Sequence, residues 1–185
     1  MNAFIKSPKR IPLFLKLGIM ISRRVTGRDL LVPKLLAWYP KVAISSGILE
    51  VLIAHGKKDL NQRILKFVRI QTSLTVSCAF CIDMNSFGYE KSGITKQELD
   101  ALSGRVEINE VATFSEKERI VIQYVKCLCK TPIQIPKEVS ESIILNFTER
   151  EIVILASTVA QVNYWARLIQ GMGVPPEGFS DKCQL

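Results

Sequence analysis

Histidine, cysteine, proline and glycine are all scarce in this chain of 185 residues, and each scarcity narrows what it can be. Eight prolines and ten glycines, beside 48% hydrophobic and 23% charged residues, argue against disorder and for one domain with a full core. Five cysteines, an odd number in a chain of this size, do not make a secreted disulfide framework. A reducing, cytoplasmic compartment is expected, where any disulfide is transient. The apolar stretch from Ile11 to Ile21 is interrupted by Lys16 and falls short of the roughly 20 residues that span a bilayer. No small-residue cleavage site follows it, only Ser22-Arg23-Arg24-Val25, so a cleaved signal is not expected. Acid is scarce in one place. The first 34 residues hold eight basic groups against Asp29 alone, a balance of +7 out of the net +8. Residues 1–30 therefore read as a basic amphipathic arm, and 31–185 as a nearly neutral body. The arm is expected to pack on the body or on a neighbouring subunit with its cations in solvent. Weak contact with an anionic membrane surface is the alternative. Nucleic acid is not expected, because few aromatics interleave with the charge and no binding motif accompanies it.

What is present is a succession of helix signals. Thr95-Lys96-Gln97-Glu98, Ser115-Glu116-Lys117-Glu118 and Thr148-Glu149-Arg150-Glu151 are capping boxes, in which hydroxyl and carboxylate each satisfy an orphan amide. Asp59 with Gln62 is expected to cap a helix reaching Val76, and Pro33 to open another that Pro40 kinks or splits. Gly93, Thr131-Pro132, and Gly171 with Gly173 before Pro175-Pro176 read as stops. Ile152, Leu155, Val159, Val162 and Leu168 keep a 3.6-residue period. No alternating strand, repeat or low-complexity segment is found. The fold class is all-α.

The most informative residues are Cys78 and Cys81, in Ser77-Cys78-Ala79-Phe80-Cys81-Ile82-Asp83-Met84-Asn85. On a helix, Cys78, Cys81 and Asn85 share one face. One turn brings two thiols within reach of a disulfide, and a helix start lowers the pKa of the first. Asp83 points about 100° or 200° away from them and is a weaker relay candidate. Cys127 and Cys129 sit about 200° apart, so they cannot complete a zinc site with the pair. Cys183 lies in a polar tail. Neither metal nor cofactor is called for. The competing reading makes Cys78 and Cys81 inert core thiols.

With the helices placed, the pattern resembles the carboxymuconolactone decarboxylase superfamily, in its alkylhydroperoxidase D-like branch. The residues that carry this are Ser73, Cys78-Ala79-Phe80-Cys81-Ile82-Asp83-Met84, Gly93 to Leu102, Phe114 to Arg119, Phe147 to Glu151, Val162-Asn163 and Gly173 to Gly178. They run from about residue 30 to 180 and leave the arm outside. The resemblance implies an all-helical bundle assembled as a trimer or hexamer, disulfide exchange and reduction of hydroperoxides. It implies Cys81 as the attacker, Cys78 as the more exposed exchange site, and a dithiol, thioredoxin-type or lipoyl-type reductant. It also implies a glutamate and a histidine relaying protons where this chain has Lys66 and Asn85. Asn cannot shuttle a proton near neutral pH, whereas a lysine beside Cys78 can stabilise a thiolate. Lys66 and Arg69 otherwise read as a solvated helix face. His55, the single histidine, reads as a surface or capping residue, with a relay role the alternative. Gln161, Asn163, Tyr164 and Trp165 line either packing or a pocket. The expected activity is a thiol-dependent peroxidase or disulfide reductase; the alternatives are a non-catalytic helical oligomer that has lost its relay, and a lactone decarboxylase in which the pair would be idle.

Overall fold

The computed structural model describes residues 3–53, 55–56 and 58–180. Among them nine α-helices follow one another: α1 Leu13–Thr26, α2 Leu31–Leu36, α3 Pro40–Leu52, α4 Gln62–Thr75, α5 Ala79–Ser86, α6 Lys96–Leu102, α7 Glu116–Leu128, α8 Lys137–Asn146 and α9 Glu149–Gly171. Short 3₁₀ turns occupy Tyr89–Ser92 and Ile108–Glu110, and the described residues contain no strand.

Helix α4 is the axis. Phe67, Val68, Ile70, Thr72 and Ser73 are fully buried on successive faces, as expected of a helix surrounded by others. It packs against α5, α7 and α9. One apolar cluster joins α4, α7, α8 and α9 through Val68, Val125, Ile143 and Leu155; a second joins α4 to α6 through Phe67, Leu99 and Val111. A third, around Leu35, Cys78, Cys81 and Ala166, joins α2, α5 and α9. Helix α9, 23 residues and about 35 Å long, is apolar because it serves the first and third clusters at once.

All three capping boxes form as the sequence implies. Pro40 splits rather than kinks: it is the first residue of α3, and Ala37 to Tyr39 make the turn before it. Two expectations are corrected. The cap of α4 is Asn61, whose side chain accepts from the Arg63 amide at 2.8 Å, not Asp59. Asp59 accepts instead from the Gly56 amide at 2.7 Å and pairs with Arg150 on α9. Gly93 closes the 3₁₀ turn, with φ 73°, while α5 has already stopped at Ser86, where Phe87 turns extended. Helix α8 has no side-chain cap, and so no start signal in the sequence.

The arm meets the body on one side only, through α2 and α3. Helix α1 buries only Leu15, and Leu13, Phe14, Leu17, Met20, Ile21 and Val25 all stand exposed. Its apolar face does not pack on the body.

Candidate active site: a buried dithiol

Helix α4 ends at Thr75, and the chain reverses through Ser77, which takes a left-handed φ of 51°. A non-glycine residue there carries strain that the surrounding packing must hold. The reversal leaves Cys78 as the N-cap of α5, its amide tied to the Ser73 carbonyl at 3.1 Å. In place of the usual hydroxyl or carboxylate, the sulfur of Cys78 accepts from the Cys81 amide at 3.3 Å. Both cysteines are free thiols. The thiol of Cys81 donates to Cys78, and this contact, with the amides of Cys81 and Phe80, holds Cys78 below the ordinary thiol range against the upward push of burial. The same contact and burial drive Cys81 far up. The two thiols are thus pushed in opposite directions by one contact.

The contact pulls Cys78 down and Cys81 up, and both residues are buried, Cys78 at 0% and Cys81 at 3% exposure. Val32, Leu35, Leu36, Phe80, Ala166 and Ile169 surround the pair. Each thiol's acidity is set by the partner thiol, burial and backbone amides; no carboxylate, imidazole or ammonium is among its causes.

The remaining candidates lie around this centre without entering it. Asn85 donates to the Ser73 hydroxyl at 2.9 Å, and Ser73 donates to the Arg69 carbonyl at 2.7 Å, so Asn85 braces the α4–α5 corner that positions Cys78. Lys66 is half-buried and donates to the Phe87 carbonyl at 2.8 Å. Burial, then repulsion from Arg69, lowers its pKa to about 8 against the pull of Glu90, and it supplies none of the stabilisation of Cys78. Asp83 is fully buried and accepts from the amides of Glu177 at 2.9 Å and Ser180 at 2.6 Å, fastening the C-terminal segment over α5. His55 lies 3.4 Å from the Ser157 hydroxyl on α9; burial lowers its pKa, with Asp59 opposing. Cys127 belongs to the first cluster, Cys129 accepts from Asn163 at 3.6 Å, and Cys183 lies outside the described residues.

Two features had no clear mark in the sequence pattern. Glu50, the single acid of α3, accepts from Gln161 and from the Trp165 indole, each at 2.8 Å, while Tyr164 meets the Ser46 hydroxyl at 2.7 Å. These bonds lock α3 to α9 beside the cysteines, since Trp165 packs on their cluster. The only signal was one acid in an otherwise apolar helix. The second feature is the strap before α1. Ala3 packs on the cysteine cluster, the Phe4 amide donates to the Met172 carbonyl at 2.9 Å, and Trp38 donates to the Lys6 carbonyl at 2.8 Å. Gly173 makes room for it: a Cβ there would meet the Phe4 ring at 2.6 Å.

A helical bundle closed around a two-cysteine helix start is the class that fold and site define. Solved structures share the fold. The chain superposes on the debrominase Bmp8, determined as a cysteine-to-alanine variant with 2,3,4-tribromopyrrole, with a TM-score of 0.80, 16% identity and coverage of 97% of this chain and 94% of that one. An uncharacterised peroxidase-related protein from Ralstonia eutropha JMP134, described as an alkylhydroperoxidase AhpD core, gives 0.78 at 15% identity, covering 97% and 95%. In sequence, the uncharacterised protein YdfG of Bacillus subtilis (strain 168) is 26% identical over 118 residues, 63% of this chain and 78% of YdfG. No family model matches the chain. The chain has the all-helical AhpD-like fold. Coverage of 97% also takes in the arm, which the sequence resemblance had left outside.

Proposed function

We propose that the protein is a thiol-dependent oxidoreductase in which Cys78 and Cys81 reduce a hydroperoxide. The observation that carries this is the contact between the two sulfurs at the start of α5, which lowers the pKa of Cys78 and raises that of Cys81. The Cys78 thiolate attacks the outer oxygen of the hydroperoxide and the O–O bond breaks. Cys78 becomes a sulfenic acid, and the departing alkoxide takes the proton that Cys81 has kept. The Cys81 thiolate then attacks the sulfenic sulfur, forming the disulfide and releasing hydroxide, which takes up the proton that Cys78 gave to solvent on ionising. A hydroperoxide and two thiols thus give an alcohol, water and a disulfide. A dithiol donor of thioredoxin or lipoyl type returns the pair by exchange. On this scheme Cys81 performs the donation that Lys66 and Asn85 cannot, and the strap and α2 open to admit substrate.

The test mixes reduced protein with cumene hydroperoxide and counts thiols at the two positions over time. Loss of both faster than free cysteine, abolished in Cys78→Ser, is expected; oxidation no faster than free cysteine overturns the reading.

The apolar shell, with no ionisable group acting on the thiols, favours a second reading. Reductive dehalogenation of an apolar aromatic bromide needs the same two thiols: the thiolate takes bromine, the ring carbon takes a proton, and Cys81 displaces bromide to close the disulfide. Bromide released from 2,3,4-tribromopyrrole, with no response to hydroperoxide, selects it.

A further inference from the structure

We infer that helix α1, with the outer face of α3, is a docking surface for an anionic lipid bilayer. At 100° per residue, Leu15 and Ile19 of α1 turn toward the body, whereas Leu13, Leu17, Ile21, Phe14 and Val25 fall within an arc of about 120° on the opposite side. The two ends of that arc are the most open, Leu13 at 81% and Val25 at 80% exposure. Helix α3 lies beside α1 and repeats the arrangement: Ser46 is buried toward α9, and Ile44, Ile48, Val51 and Leu52 stand exposed on the other side. An amphipathic helix of a water-soluble protein hides its apolar stripe. Here two neighbouring helices turn theirs outward.

Charge identifies the occupant. Lys16, Arg23 and Arg24 accompany the arc on α1, Lys6, Lys9 and Arg10 precede it, and Lys41 is exposed on α3. No acid lies between residues 13 and 26, and the single acid of α3, Glu50, is held by Gln161 and Trp165. Asp29, just beyond, is paired with Lys34 at 2.6 Å. Two copies meeting through this face would bring cations together with no carboxylate to separate them. Exposed apolar side chains with Arg24 among them and Lys16 and Arg23 along one edge, unopposed by any acid of α1, are the chemistry of a helix lying in the headgroup layer, its apolar arc among the acyl chains and its cations at anionic phosphates.

The full chain is sedimented with vesicles of phosphatidylcholine containing 30% phosphatidylglycerol, and with pure phosphatidylcholine. Binding to the first and not the second is expected, weakening about twenty-five-fold in Arg23→Gln/Arg24→Gln if each charge contributes about a fivefold factor. Leu17→Glu, which changes only an exposed position of α1, should abolish binding with the circular dichroism unchanged. Cys78→Ser should leave it intact, so this surface stands apart from the redox reading. Failure to bind the anionic vesicles overturns the inference, as does binding that ignores the arginine changes. So does a stable oligomer by light scattering that Leu17→Glu dissociates, because the face is then covered by another copy.

Discussion

Two buried polar centres lie at opposite ends of α4 and are surrounded in opposite ways. At its start, Arg63 reaches Glu98 at 2.5 Å, Glu118 at 2.6 Å and the Gly93 carbonyl. Those glutamates are the same ones that close the capping boxes of α6 and α7, so one guanidinium ties three helix starts together. Thr113 and Thr95 complete the partners of Glu98, and the charges are matched. Beyond its other end, Cys78 and Cys81 have only each other and backbone amides, inside an apolar shell held by a strap with few bonds. The first centre is saturated and has nothing left to offer a ligand. The second leaves two thiols with few polar partners, and the apolar surround opposes the pull that their contact exerts on Cys78.

The contrast can be broken most forcefully at the saturated end. Arg63→Ala leaves two buried carboxylates without their partner, and a loss of about 3–5 kcal/mol is expected in urea unfolding at neutral pH. Acid should mimic it. Burial pushes Glu98 up, but Arg63, Thr113 and Thr95 pull it below the usual carboxylate range. Its contribution is therefore complete above the unfolded pKa of about 4.3 and is lost as pH falls through the lower folded value. A stability–pH profile that is as steep in Arg63→Ala as in the parent contradicts this assignment.

At the dithiol the effects are kinetic. Cys81→Ala removes the contact that lowers the Cys78 pKa, so the pH profile of Cys78 labelling by iodoacetamide should move to higher pH. At pH 7 the labelling should then slow about tenfold for every pH unit by which the midpoint of that profile rises. An unchanged profile would mean that backbone amides alone prepare the thiolate. The strap is addressed by Phe4→Pro with Trp38→Phe, which deletes both of its hydrogen bonds to the body. Labelling of both cysteines should accelerate about thirtyfold, given roughly 1 kcal/mol for each of the two bonds. If the rate does not move, access runs elsewhere. The smallest effect belongs to one capping box: Ser115→Ala should cost about 1 kcal/mol and leave thiol labelling untouched, separating scaffold from site.

Much of this architecture was legible because its determinants are local. A capping box is decided within four residues, as is the placing of proline at the first turn of α3. Cys78 and Cys81 were legible as a pair for the same reason, since one helical turn sets their separation. Asp83 was not, because its partners lie more than ninety positions away in Glu177 and Ser180. Glu50 was hidden likewise, its bonds reaching across to α9.

From the chain alone came the helices, most of their ends, and two thiols at a helix start, all consequences of hydrogen bonds and spacings a few residues long. What surrounds each sulfur, what Lys66 and Asn85 bond to, and which way the apolar side of α1 faces were decided only by packing. Burial and long-range partners set those outcomes, and neither exists until α2, α4, α5 and α9 have come together.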